Sequence, residues 1–287
     1  MYDLLIKNCC IIDGSGEDPF AGDVAVRKGK IAAVGENLSG AERTIDAAGR
    51  VVTPGFIDIH RHADGAAFRP DFGKLELKQG LTTIVSGNCG LSAAPIAGGY
   101  RQAVLDYLRP ITGALGPETP TASMAEYLAA AESLHPAIHV GMLAGAGTAR
   151  AAVAGYACEH LNAGQLGQVQ ARLHDALSEG ALGISLGLGY APECFYTTEE
   201  LIDALRPFAH GPIPITVHMR EEGDGVLEAL EEMLTVAETL DLPVEISHLK
   251  AMGKRNWNNK VPKALEMLAE ARERGVQASW DAYPYTA

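Results

Sequence analysis

The stretch Pro54-Gly55-Phe56-Ile57-Asp58-Ile59-His60-Arg61-His62 divides the 287-residue chain into two kinds of sequence. Before it, short apolar runs alternate with turns. Leu4-Leu5-Ile6 and Cys10-Ile11-Ile12 come first, and Asp23-Val24-Ala25-Val26 and Lys30-Ile31-Ala32-Ala33-Val34 then flank the hairpin-type turn Lys28-Gly29. With Arg50-Val51-Val52 these predict a small antiparallel sheet over residues 1–54, ended by Thr53-Pro54-Gly55. After it, apolar β runs alternate with helical segments, the pattern of βαβ units in a parallel sheet. Strands are predicted at 56–62, 82–86, 138–143, 183–188, 213–218, 244–248 and 276–281, and helices at 124–134, 165–178, 199–208, 226–240 and 263–274. Within 226–240, Val226, Leu230, Met233, Leu234, Ala237 and Leu240 fall on one face, while Glu228, Glu231 and Glu232 face water. Thr197 followed by Glu200 predicts a capping box for the helix before it.

Seven strand-and-helix units in a row suit a doubly wound sheet or a (β/α)8 TIM-type barrel, which needs roughly 250 residues. The barrel has the better case. Its chemistry gathers at the carboxyl ends of the strands, where this chain places its His and Cys residues. The expected fold is therefore α/β, with seven of eight barrel strands in residues 55–287.

Composition narrows the function classes. With 23 Lys+Arg against 36 Asp+Glu the formal charge is −13, which excludes a basic nucleic-acid binder and favours solubility. At 47% hydrophobic and 21% charged residues the balance is that of a globular protein with a sizeable core. Met1-Tyr2-Asp3 lacks the basic start of a targeting signal, and no apolar run approaches a membrane span. Cys9, Cys10, Cys89, Cys158 and Cys194 are odd in number and scattered, which points to a reducing cytoplasm rather than a disulfide framework.

His60 and His62 sit two apart on the first barrel strand, so both side chains leave one face with Cβ atoms about 6 to 7 Å apart, within reach of one metal ion. Arg61 points the other way, toward the surrounding helices, where it has to snorkel or find a partner. Cys89 follows the second strand between Gly87 and Gly90. His218 and His248 each end an apolar strand, and their thirty-residue spacing is one βα repeat, which puts them on adjacent strands. Singly, each histidine is as well read as a structural residue. Together, thiolate and imidazole at matching strand ends favour a metal, and zinc over magnesium or calcium. His135, His139, His160, His174 and His210 read as structural or solvated. Gly145-Ala146-Gly147-Thr148 resembles a phosphate-cradling turn but lacks the glycine spacing and the Gly-Lys-Ser/Thr that would carry that reading.

The motif at 54–62 resembles the first-strand signature of the amidohydrolase superfamily, metal-dependent hydrolases on a (β/α)8 barrel with a small β-sandwich appended. Four further motifs occur in the same order: Gly80-Leu81-Thr82-Thr83 leading to Gly87-Asn88-Cys89-Gly90, then His218-Met219-Arg220-Glu221, Ser247-His248-Leu249-Lys250 and Asp281-Ala282-Tyr283-Pro284-Tyr285. Together they closely resemble the N-acyl-D-amino-acid deacylase (D-aminoacylase) family over essentially the whole chain. The resemblance implies that residues 1–54 are the sandwich portion. It also implies a tightly held zinc on Cys89, His218 and His248, and a second, weaker position on His60 and His62 that shares Cys89. In the fourth strand, Gly183-Ile184-Ser185-Leu186-Gly187-Leu188 offers neither the lysine nor the glutamate with which many relatives bridge two metals, so the cysteine takes that place. Arg61 stands where the family commonly has a small or neutral residue. Lys250 and Tyr283 correspond to positions that bind the substrate's α-carboxylate.

The activity implied is zinc-dependent hydrolysis of the amide bond of N-acyl-D-amino acids, with a small-molecule substrate as partner and neither nucleic acid nor membrane. The alternatives are action on cyclic amides or dipeptides, as in hydantoinases, dihydroorotases or dipeptidases, or a non-catalytic barrel. The resemblance places the general acid/base, an aspartate, at the end of an eighth strand beyond residue 287. Residues 1–287 alone are therefore expected to be inactive and to expose unpaired strand edges that aggregate.

Overall fold

The computed structural model describes residues 1–116 and 118–285, in two compact units, Met1–Phe56 and Ile57–Ala287. The first unit holds β1 (Tyr2–Ile11), β2 (Phe20–Arg27), β3 (Lys30–Gly35), β4 (Ala41–Asp46) and β5 (Val51–Val52). The expected hairpin is β2–β3, with Lys28 and Gly29 both at positive φ, as a two-residue primed turn requires. The antiparallel expectation is otherwise corrected. β4 and β5 run parallel to β1, so the sheet is mixed, in the order β3-β2-β1-β4 with β5 also on β1. A local turn signal announces a hairpin, but nothing in the sequence announces that the chain crosses back beside β1. β4 is almost wholly exposed and offers no apolar alternation to read. The two short runs expected at 4–6 and 10–12 are one strand with a register shift between Ile6 and Cys9, where Asn8 has positive φ.

The second unit carries β6 (Phe56–Asp58), β7 (Leu81–Ser86), β8 (His139–Met142), β9 (Ala144–Gly145), β10 (Ile184–Gly187), β11 (Ile215–His218), β12 (Val244–Ile246) and β13 (Ala278–Trp280). Its helices are α1 (Lys74–Lys78), α2 (Arg101–Thr112), α3 (Met124–Ser133), α4 (Ala146–Ala154), α5 (Ala163–Ser178), α6 (Thr198–Leu205), α7 (Val226–Leu240) and α8 (Lys260–Glu273). The strands pair in the orders β6-β7-β8 and β9-β10-β11-β12-β13. Only Leu143 separates β8 from β9. Its amide donates to Ser86 O at 2.8 Å, and that of Ala144 donates to Gly183 O at 2.9 Å, so one strand of the sequence pattern serves two sheets. The result is seven consecutive staves of a (β/α)8 barrel.

Ile184, Leu186, Val217 and Ile246 are buried against Leu173, Leu230, Met233 and Leu268 of the surrounding helices. Each such side chain contributes about 1.5–3 kcal/mol of hydrophobic stabilisation. The apolar stripe of α7 is buried as its period predicts. Glu232 differs from the expectation that it faces water: it forms a two-pronged ion pair with Arg220, Nε to Oε2 and Nη2 to Oε1 both at 2.9 Å. The Thr197–Glu200 capping box is formed at α6. Two longer helices, α2 and α4, go beyond the sequence reading. Eight residues of α4 are buried, so it shows no amphipathic period to detect, and α2 carries Pro110 in its last turn.

Candidate metal centre

The predicted ligands converge at the carboxyl ends of the staves. His60 and His62 follow β6, with their rings 5.6 Å apart. Asn88 Nδ2, just beyond β7, donates to Val85 O at 3.0 Å and to Ile59 O at 3.3 Å, which ties the first two strand ends together. Cys89 comes next, at φ 58°. His218 ends β11, and His248 follows β12 at φ 41°. Left-handed backbone at a non-glycine residue costs on the order of 1–3 kcal/mol, and both ligands adopt it.

Cys89 Sγ stands 3.3 Å from His60 Nε2 and 3.6 Å from His248 Nε2, and His218 Nδ1 is 3.0 Å from His248 Nε2. Two groups could hold a metal ion, His60–His62–Cys89 and Cys89–His218–His248, each with ligand atoms within 4.8 Å of one another. The sulfur belongs to both.

Acidic residues stand behind three of these imidazoles, those of His60, His218 and His248. Glu222 Oε1 lies 2.8 Å from His248 Nδ1, and its Oε2 lies 3.7 Å from His218 Nε2. Burial opposes the charge of Glu222, but hydrogen bonds from His248 and Lys250 outweigh it and hold the carboxyl at about 2. Asp281 Oδ2 lies 2.7 Å from His60 Nδ1, and its Oδ1 accepts the His248 amide at 2.5 Å. Beside Asp281, burial and then that neighbouring carboxylate push the Glu245 carboxyl well above the ordinary range. A histidine whose rear nitrogen is hydrogen-bonded presents a fixed tautomer to a metal.

The residues fit a soft or borderline cation. Burial drives His62 and His218 down to about 4, which keeps both imidazoles in the neutral, ligating form near pH 7. His62 Nδ1 is buried with no partner among the described residues. Burial, then Asp281 and Glu222, push the Cys89 thiol up to about 12, so a thiolate here requires a bound cation.

Lys250 and Tyr283 are adjacent, with Nζ 5.9 Å from the ring centroid. Nζ donates to Glu222 and lies 3.2 Å from His248 Nδ1. Arg61 turns away from the ligands and has partners, Glu76 of α1 at 2.9 Å and Asp58 at 3.3 Å. The other histidines lie outside the cluster. His160 pairs with Glu200 and His210 with Asp241, both exposed. Sequence reasoning missed Glu222 and Glu245 and gave Asp281 no role of its own. Glu245 had a readable signal, a charged residue inside an otherwise apolar strand.

The chain belongs to the amidohydrolase family, whose model matches residues 43–282. Within that family it is 38% identical over 288 residues to D-aminoacylase of Alcaligenes xylosoxydans xylosoxydans, covering 100% of this chain and 58% of the relative. A D-aminoacylase crystal structure matches with a TM-score of 0.88 at 38% identity, over 99% of this chain and 59% of that one. The N-acyl-D-glutamate deacylase of Bordetella bronchiseptica, solved with zinc and a phosphonate mimic of the tetrahedral intermediate, matches with a TM-score of 0.86 at 34% identity, over 99% of this chain and 59% of that one. The chain thus spans less than three fifths of these relatives.

Proposed function

We propose that these residues form the larger part of the centre of a zinc hydrolase that cleaves the amide bond of N-acyl-D-amino acids, releasing a carboxylate and the free D-amino acid. The observation that carries the reading is the position of Cys89 Sγ between the two histidine groups. Cys89, His218 and His248 hold a tight zinc, and His60 and His62 complete a second, weaker position with the same sulfur. The zinc-bound deacylase relative and the D-aminoacylase relatives support this assignment. A zinc ion held there supplies Lewis-acid activation of an amide carbonyl and of an attacking water.

The chain's own residues do the positioning. Lys250 supplies the cation for the substrate's α-carboxylate, and Tyr283 stands beside it to fix the carboxylate's orientation. The carboxylate has to share Lys250 with Glu222 or displace it. Glu222 and Asp281 hold the tautomers of His248 and His60. The general acid/base is the aspartate expected beyond residue 287. A reducing cytoplasm suits the five unpaired cysteines.

A panel of N-acetyl-D-amino acids, their L forms and hydantoins, given to the full-length protein, tests the proposal. Turnover of the D forms is expected. Turnover confined to hydantoins overturns the substrate class, and zinc-free protein without any hydrolysis returns the chain to a non-catalytic barrel.

A further inference from the structure

The turn Gly145-Ala146-Gly147-Thr148 and the loop between Tyr190 and Tyr196 take no part in the chemistry above, yet both meet the back of the Cys89 turn. Three backbone groups of that turn are held from this side. Tyr190 donates its hydroxyl to Cys89 O at 2.5 Å, Gly90 N donates to Ser185 Oγ at 3.0 Å, and Thr148 N donates to Gly90 O at 2.9 Å. Between these contacts lies the side chain of Glu193, 1% exposed. Its Oε2 accepts the Gly187 amide at 2.8 Å and lies against Gly147 in the first turn of α4, while its Oε1 is buried without a partner among the described residues.

Two glycines make room for this carboxyl. A Cβ on Gly90 would stand 2.1 Å from Glu193 Oε2, and one on Gly147 would stand 2.5 Å from it. What resembles a phosphate cradle in sequence is thus occupied by the protein's own acid. Burial pushes Glu193 up to about 8, against the pull of the Gly187 amide and of Arg150.

We propose that Glu193 is a positioning residue for Cys89: seated on Gly187 and on the start of α4, it wedges the Cys89-Gly90 turn so that Sγ stays common to both histidine groups. An apolar side chain of the same size would fill the space but leave the Gly187 amide without its acceptor. A glutamine keeps the accepting oxygen. The inference rests on the proposed zinc centre, so zinc binding by the wild-type protein is measured first; failure there sinks that reading before this one.

The test compares full-length wild type, Glu193→Gln, Glu193→Met and a control, Leu173→Ala, which weakens the core remote from Cys89. Zinc affinity by chelator competition, the thiolate-to-cobalt charge-transfer band of the cobalt-loaded protein and the unfolding midpoint are read together. Glu193→Gln is expected to match wild type within about threefold, and Glu193→Met to bind zinc roughly 10- to 100-fold more weakly with a diminished band. Leu173→Ala is expected to lower the midpoint and leave affinity and band unchanged. Wild-type affinity and band in Glu193→Met overturn the proposal, as does a Glu193→Gln protein as impaired as Glu193→Met. A Glu193→Met protein that does not fold, beside a normal Glu193→Gln, assigns the carboxyl to folding alone and also overturns it.

Discussion

The two histidine groups share one sulfur and differ in what stands behind their rings. In the His218–His248 group a single carboxylate, Glu222, backs both imidazoles, at 2.8 Å from His248 and 3.7 Å from His218. In the His60–His62 group, Asp281 backs His60 at 2.7 Å, while His62 Nδ1 is buried without a partner among the described residues. An imidazole already held in its ligating tautomer loses less freedom when a cation arrives. One carboxylate thus lies within ion-pair distance of both rings of the His218–His248 pair, whereas in the other group only His60 has an acid behind it, a contrast that supports the proposed assignment of the tight ion to the first pair.

The largest effect is expected from Cys89→Ala, which removes a ligand from both groups: the full-length variant should purify without tightly bound zinc and hydrolyse substrate only at background. His62→Ala should keep the tight ion and lose only the second. Equal zinc losses in the two variants, by metal analysis, would erase the distinction between the groups.

A smaller change tests the backing itself. Glu222→Gln keeps the side chain's shape and removes the charge shared by His248, His218 and Lys250, so zinc affinity should fall roughly 10- to 100-fold without loss of the fold. An unchanged dissociation constant would show that the carboxylate does not prepare the ligands.

The smallest effect belongs to the metal-free protein. Burial lowers His62 and His218 from the ordinary 6.5 to about 4, so the unfolded chain takes up protons first as the pH falls. Their contribution to stability is whole above about pH 6.5 and disappears as the pH drops toward 4. Unfolding midpoints of chelated protein across this range should decline, and His62→Asn should flatten the decline.

Some of this was legible in the sequence for definite reasons. The ligands lie at the ends of apolar strands, and strand ends can be counted from periodicity alone, as can the buried stripe of α7. α4 was hidden because it is buried nearly all round, and β4 because it is almost entirely exposed; each lacks the contrast between faces on which such reading depends. The carboxylates were hidden for another reason. Glu222, Asp281 and Glu193 matter through partners far along the chain or across a turn, such as His60 with Asp281, and no spacing rule joins such pairs. The glycine-rich turn at 145–148 lacks a phosphate motif in sequence, and its contact with the Glu193 side chain becomes visible only in three dimensions.

Cys89 and His248 both stand in backbone conformations that glycine adopts without penalty. Relief of backbone strain alone would therefore favour glycine at positions 89 and 248, where the proposed centre would lose two of its ligands. Engineering this protein for robustness calls for a screen that counts bound zinc alongside survival.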